Sequence, residues 1–242
     1  MMDPKLFAEG PVRDSRFDVK ERWSELRNLD LDHPEHQIEF LHRQMNEEVD
    51  SIEISARNIA DFPDAPWELR MAMARQCWDE ARHCLAFRRL FEKRGGRVGA
   101  YSIMNFQYRI ITKINSLAGR LAVQNRSFEA AGIDAIDHEL RSFDREADLE
   151  YAGLFEMQLA DEMQHVRFGN EWVKKLIELG GPRTTFEVAR AVAQASEAFQ
   201  QIVDAQEKVY YPVSDEARRE AGFTENEIAG AHKLTGSKAD CA

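Results

Sequence analysis

The stretch Asp79-Glu80-Ala81-Arg82-His83 returns later in the chain as Asp161-Glu162-Met163-Gln164-His165, and this repeated DExxH pattern decides the fold class. A Glu and a His three residues apart lie on one face of an α-helix, about one turn from each other. Both side chains can then reach one inward-facing point, with a carboxylate oxygen and an imidazole nitrogen. With 26 Glu, 17 Asp and 7 His in 242 residues, chance predicts only about 0.05 matches to DExxH. Two matches therefore indicate a metal site.

Two further glutamates complete the pattern of a di-metal helical bundle. In such bundles two helices carry a Glu-x-x-His motif, and two other helices each add one Glu. Glu48 precedes Glu80 by 32 residues and Glu129 precedes Glu162 by 33, as a duplicated helix pair would give. The predicted metal ligands are Glu48, Glu80, His83, Glu129, Glu162 and His165.

Some acidic side chains leave alternatives to this ligand set. Glu53, five residues after Glu48, is the rival ligand on the first helix. Glu156 is either an additional carboxylate near the site or an ordinary exposed side chain. A third ExxH match, Glu39-Phe40-Leu41-His42, lacks the preceding Asp, and we interpret it as a chance match on a solvated helix face.

Asp79 and Asp161 precede the motif glutamates directly. Each is rotated by about 100° from the neighbouring Glu around the helix axis, so neither is predicted to bind metal. A metal-bound His normally donates its other ring N–H to a carboxylate, which fixes the orientation of the ring. We expect Asp79 to support His165 and Asp161 to support His83. The alternative for each Asp is an ion pair with a nearby Arg.

The donor types predict the metal and the chemistry. Carboxylates with imidazoles suit iron or manganese, and open coordination positions allow O₂ to bind. We expect two iron ions, with manganese as an alternative in one or both positions. The leading hypothesis is a non-haem di-iron oxidoreductase, such as a monooxygenase, that activates O₂ to hydroxylate, desaturate or otherwise oxidise an organic substrate. The alternatives are iron or manganese oxidation, storage or peroxide removal, and a structural module with a vestigial site.

Composition and sequence motifs narrow the classes of molecule that the protein is expected to bind. The net charge of −11 disfavours a nucleic-acid-binding surface. No apolar run approaches the roughly 20 residues that span a bilayer, and we expect neither a secretory signal nor a membrane anchor, hence a cytoplasmic protein. The sequence carries no flavin, nicotinamide or iron–sulfur signature, so the expected partners are O₂, a small organic substrate and an external reductase. A homodimer is a further expectation.

Helical periodicity and scarce Gly and Pro predict an all-α fold, a four-helix bundle with additional C-terminal helices. The predicted domains are a surface-wrapping N-terminal segment over 1–33, the bundle with its di-metal site over 34–182, a C-terminal helical extension over 183–234 and a flexible tail over 235–242. Within the bundle the pattern predicts a helix from Pro66 to Arg94, one from Tyr101 to Ala131 ended by Gly132, and one from Asp148 ended by Gly180-Gly181-Pro182.

The chain resembles the ferritin-like di-metal carboxylate superfamily and, within it, a bacterial ferritin-like family related to the tRNA hydroxylases. The resemblance runs from about His36 to Leu234. It is carried by both DExxH segments, the stretch Phe128–Asp134, Gly169-Asn170, and the tail from Tyr211-Pro212-Val213 through Glu216-Ala217-Arg218-Arg219 to Ala221-Gly222-Phe223. It implies a ferritin-like bundle, a di-metal cofactor and the same six ligands. The superfamily hosts oxygenases, oxidases, peroxidases and iron stores, so the resemblance does not imply a substrate.

Overall fold

A computed structural model of the chain describes residues 2–26, 29, 33–142, 146–203 and 212–235. Within these residues the secondary structure is helical, with an isolated parallel bridge between Val19 and Ile103, so the all-α prediction is confirmed. The helices are a 3₁₀ turn (Trp23–Glu25), α1 (His36–Asp61), α2 (Trp67–Lys93), α3 (Phe106–Ile111), α4 (Leu117–Val123), a π-helical turn (Gln124–Phe128), α5 (Glu129–Ser142), α6 (Leu149–Ile202), α7 (Asp215–Glu220) and α8 (Glu225–Thr235). Among the helices so described, none has an apolar stretch long enough to cross a bilayer.

The chain divides into two compact units, Met1–Leu117 with Ala193–Lys208, and Ala118–Val192 with Val209–Ala242. In the first unit α1 and α2 are an antiparallel pair joined by a Pro-containing turn. The contacts follow that direction: Arg70 binds the carbonyl of Ile59, and Cys77 lies 3.7 Å from the carbonyl of Ile52. Helix α1 ends at Asp61, because Phe62 precedes Pro63 and a residue before proline is driven out of the helical region.

The described N-terminal residues of the first unit, which include several turns, bind α3 and the segment before it. The amide of Ala8 donates to the carbonyl of Arg109 at 2.9 Å, and that of Lys20 to Ile103 at 2.8 Å. Phe7 is buried, so this segment contributes a side chain to the core. These contacts belong to the N-terminal segment over 1–33 that was predicted to wrap the surface. Its assignment as a separate domain stays a prediction.

In the second unit α5, α6, α7 and α8 enclose a small apolar core around Ile133, Val166 and Phe223. A buried ion pair ties α7 to α5, because Arg218 Nη2 lies 2.6 Å from Asp134 Oδ2. The amide of Asn170 also binds the carbonyl of Ala221 at 2.9 Å. Several residues that carried the family resemblance thus hold the C-terminal helices in place.

One predicted helix is wrong. Instead of a single helix from Tyr101 to Ala131, the structure has α3, a turn at 112–116 and a new helical run from Leu117. That run continues without interruption past Gly132 to Ser142, with a wider π turn at its centre. Gly132 does not end it because glycine lowers helix propensity by only about 1 kcal/mol, which the burial of Ala130, Ile133 and Ile136 outweighs.

The predicted break near 180 is confirmed. Helix α6 is interrupted at Gly181, with φ +64° and ψ −150°, a backbone conformation open essentially to glycine alone. Helical structure resumes at Pro182, which fits a first turn because its missing N–H has no partner there. The predicted tail over 235–242 lies, apart from Thr235, outside the described residues.

Candidate metal centres

The first cluster lies inside the first unit and consists of Glu48 from α1 with Glu80 and His83 from α2. All three side chains are buried. His83 Nδ1 lies 3.3 Å from Glu48 Oε2 and 3.1 Å from Glu80 Oε2. Their candidate ligand atoms all lie within 4.8 Å of one another, so the structure brings these three predicted ligands together.

The choice between Glu48 and Glu53 is visible in the same helix. Glu48 faces α2 and contacts His83. Glu53 instead forms an ion pair with Arg13, with Oε1 2.5 Å from Arg13 Nη1. Arg13 also binds Asp50 at 2.6 Å, and burial nevertheless raises the pKa of Asp50 to about 8. Five residues turn the helix by about 500°, so the two glutamates point in different directions. The structure thus assigns Glu48, and not Glu53, to the cluster.

The second cluster lies inside the second unit and consists of Glu129 from α5 with Glu162 and His165 from α6. These three side chains are also buried, and their ligand atoms again lie within 4.8 Å of one another. His165 Nδ1 is 3.4 Å from Glu162 Oε2. Each DExxH segment therefore meets a glutamate from a second helix of its own compact unit.

The second cluster is shaped by the π-helical turn that precedes Glu129. Asn125, fully buried in that turn, donates from Nδ2 to Glu129 Oε2 at 2.7 Å and to the carbonyl of His165 at 3.2 Å. A Cβ at Gly169 would lie 2.4 Å from the Cβ of Asn125, so only glycine lets α6 approach this turn closely. Single π turns inside α-helices occur often at functional sites.

The donor set of each cluster fits a divalent metal ion. Ligand bonds of about 2.0–2.2 Å place neighbouring donor atoms roughly 3.0–3.4 Å apart around one ion. The distances from His83 Nδ1 to Glu48 and Glu80, and from His165 Nδ1 to Glu162, lie in that range. Two buried carboxylates also carry a desolvation cost that a bound cation offsets. Two carboxylates with one imidazole are donors suited to iron or manganese.

The two aspartates of the DExxH segments are placed differently. Asp79 is buried and forms ion pairs with Arg75 at 3.0 Å and Arg82 at 2.7 Å, the arginine pairing that was its alternative role. Asp161 is half-buried. The expected support of His165 by Asp79 and of His83 by Asp161 stays a prediction.

The third ExxH match is not on a solvated face, contrary to the sequence interpretation. Glu39 and His42 are both buried, and His42 lies against the rings of Phe91 and Tyr101. Its Nε2 accepts a hydrogen bond from the amide of Gly99 at 3.0 Å, and burial lowers its pKa to about 4. At neutral pH His42 is therefore an uncharged side chain packed in the core. Glu156 is exposed, which agrees with the alternative that it is an ordinary surface side chain.

Sequence reasoning missed the amide side chains that orient two of the glutamates. Gln76 donates from Nε2 to Glu80 Oε1 at 3.1 Å, as Asn125 does to Glu129. A signal was present, because each of the four predicted glutamate ligands has an Asn or Gln four residues before it. These residues are Gln44, Gln76, Asn125 and Gln158. Positions i and i+4 face each other on a helix, which makes the amide a natural donor to the carboxylate.

Comparison with known proteins gives a family but no activity. A family model described as a protein of unknown function, DUF455, matches residues 3–229. A search of curated proteins finds no match, and a search of solved structures finds none either. The family match extends from the N-terminal segment through α1, α2, α5 and α6 into the first half of α8, and it includes every residue of both clusters. The chain belongs to the DUF455 family.

Proposed function

We propose that the two clusters hold two iron ions and that the protein is a non-haem di-iron oxidoreductase acting on an organic substrate. The observation that carries the proposal is the recurrence of one donor set, two buried glutamates and one buried histidine, in each compact unit. Manganese is the alternative metal in one or both clusters, because the same donors accept both. The ferritin-like bundle belongs to the proposal, with α1, α2, α5 and α6 each supplying one part of the ligand set.

Iron held by carboxylates and imidazole, with coordination positions left open, can bind and reduce O₂. The residues of this chain supply the environment for that chemistry. Burial of Glu80 and His83 keeps bulk water from the donor atoms. Gln76 and Asn125 each bind one oxygen of a glutamate, which fixes the carboxylate and leaves its other oxygen for the metal.

The proposal includes an external electron source. A hydroxylation with O₂, in which one oxygen atom enters the substrate and the other becomes water, would need two electrons and two protons besides the substrate. A reductase would therefore act as a partner, in a cytoplasmic setting with a small organic substrate. The sequence pattern favours this class over a nucleic-acid substrate because the chain carries a net charge of −11.

The test is an anaerobic Fe(II) titration of the purified chain, followed by elemental analysis and then by absorbance after addition of air. We expect about two irons per chain and an oxygen-dependent absorption band. Glu80→Ala and Glu162→Ala should each lose iron, whereas Glu156→Ala, an exposed glutamate on the same helix as Glu162, should bind as the wild type does. Full iron binding by both ligand variants would refute the proposal.

The same sample separates the oxidoreductase from iron handling. Storage of iron needs a large symmetric cage, which light scattering detects as a high molar mass. A small oligomer that consumes O₂ only with a reductant and an added organic compound supports the oxidoreductase. A cage that takes up many irons per chain, or a protein that consumes peroxide without organic product, would support the alternative.

A further inference from the structure

An apolar seam runs along the outer face of α2, on the side of the helix away from Glu80 and His83. It consists of Trp67, Met71, Ala74, Trp78, Ala81 and Leu85. The four large side chains are 68%, 45%, 62% and 50% exposed in chain order, and Ala74 is exposed as well. Of the eleven large hydrophobic side chains exposed among the described residues, these four share one face of one helix.

The spacing of the seam is that of a helix that pairs with another helix. Successive members are four, three, four, three and four residues apart, the 3.5-residue repeat by which two helices keep contact. Trp67 and Leu85 are separated by five full turns, so the seam extends for about 27 Å. A contiguous apolar patch of this kind on a folded protein marks an interaction surface.

The seam is complementary to itself when two copies run antiparallel. If Ala74 of one copy faces Trp78 of the other, Met71 faces Ala81 and Trp67 faces Leu85. Large side chains then meet small ones at the centre, as knobs into holes require, and one twofold axis relates all the pairs. A parallel pairing would instead place Trp78 against Trp78 and Ala74 against Ala74, with clashes and gaps in alternation.

The charges at the two ends of the seam favour the same arrangement. Asp64 and Glu68 are exposed at its N-terminal end, and Arg88 and Arg89 are exposed at its C-terminal end. The antiparallel arrangement brings the acidic end of one copy, with Asp64 in the turn before α2 and Glu68 in its first turn, towards the basic end of the other. Opposite charges and antiparallel helix dipoles both stabilise this pairing.

Arginines beside the centre of the seam do not oppose the pairing. Arg75 and Arg82 flank Trp78 on one side, and both are bound to the buried carboxylate of Asp79. Their charge is partly neutralised within the chain, and their side chains are drawn along the helix instead of across it. The seam itself therefore presents indole and alkyl surface at its centre, and the two arginines beside it are each paired with Asp79.

We propose that this seam is the interface of a homodimer, formed by α2 and α2 of a second copy in antiparallel orientation. The occupant is a second copy of this chain because the size pattern and the charge pattern both complement themselves under one twofold axis. The pairing would also brace the helix that carries Glu80 and His83 from its outer side. The proposal is independent of the metal and of the reaction.

Sedimentation velocity on the purified full-length chain tests the interface. We expect a particle of twice the 27.9 kDa chain mass. Trp78→Glu should weaken the dimer by about 30-fold or more, the effect of losing a central aromatic anchor. Phe186→Glu is the control, because Phe186 is 68% exposed on α6 and lies outside the seam. A wild type that stays monomeric at about 100 µM, where mass action favours any specific dimer, would overturn the proposal, as would a Trp78→Glu dimer of unchanged affinity.

Charge reversal tests the register independently of the central Trp. Asp64→Arg with Glu68→Arg, and separately Arg88→Glu with Arg89→Glu, should each weaken the dimer by about tenfold through like-charge contacts. The combined fourfold variant should regain wild-type affinity, because only an antiparallel pair restores both opposite-charge contacts. No recovery in the fourfold variant, with each reversal alone weakening the dimer, would contradict the antiparallel arrangement.

Discussion

Asn125 shows how much one side chain contributes to the proposed metal chemistry. Its amide nitrogen binds both Glu129 and the backbone of His165, so it fixes the carboxylate relative to the helix that carries the histidine. Gln76 does the same for Glu80 within α2. Groups that orient metal ligands affect affinity nearly as strongly as some ligands do.

We expect Asn125→Leu to weaken metal binding roughly 10–100-fold without preventing folding. Glu129 loses its hydrogen-bond donor, while the leucine side chain still fills the space of the amide. The measurement is Fe(II) or Mn(II) affinity by competition with a chelating dye, with circular dichroism as the folding check. Asn125→Asp is the companion variant, since a second carboxylate beside Glu129 changes charge but not shape. Unchanged affinity in Asn125→Leu would show that Asn125 acts only in packing.

At the scale of elements, glycines decide where helices may break and where they may touch. Gly181 takes a backbone conformation that side chains avoid, and this interrupts α6. Gly169 has ordinary helical backbone, and its importance lies in the close approach of Asn125. Gly132 has neither constraint, since a Cβ there would meet nothing within 4 Å.

These differences predict that replacing glycine with alanine has opposite effects on the free energy of unfolding at positions 181 and 132. Gly181→Ala should lower the free energy of unfolding by about 1–3 kcal/mol, because alanine at φ +64° and ψ −150° is strained. Gly132→Ala should raise it by about 0.4–1 kcal/mol, because it only reduces the freedom of the unfolded chain within a regular helix. Chemical denaturation of the two variants beside the wild type measures both. Equal effects of the two substitutions would contradict the break at Gly181.

At the scale of the whole molecule, stability depends on polar groups that the fold keeps neutral or paired. The buried Asp134–Arg218 pair holds α7 on α5. Burial raises the pKa of Asp134, and the contact with Arg218 counteracts part of that increase. His42 is the clearest case of a buried neutral group, with its pKa lowered from 6.5 to about 4 by burial. Its ring accepts the amide of Gly99 and so links α1 to the loop after α2.

The lowered pKa of His42 predicts a loss of stability in mild acid. Between pH 6.5 and 4 the unfolded chain binds a proton at His42 that the folded chain refuses, so the free energy of unfolding falls as the pH falls through this range. The loss attributable to His42 is on the order of 3 kcal/mol. Denaturation of the metal-free protein at several pH values measures it. His42→Gln should be less stable at pH 7 and should show a shallower decline toward pH 4; parallel curves would contradict the assignment.

Sequence reasoning alone predicted the helical class, both ends of α2, the break near Gly181 and the residues of both clusters, with Glu48 and Glu53 left as alternatives on α1. Each of these depends on local spacing: three residues between Glu and His, proline after a helix end, glycine where the backbone leaves the helical region. The matched offsets predicted six ligands at one di-metal site, whereas the contacts of Glu48 with His83, and of Glu129 with Glu162 and His165, came from the structure.

Features that depend on what a helix packs against could not be predicted from local spacing. These features include the helical run through Gly132, the approach of α6 to Asn125 at Gly169, and the burial of Glu39 and His42. Local propensities differ by about 1 kcal/mol or less per residue, while burial of a side chain contributes more, so packing overrides the local preference wherever the two disagree.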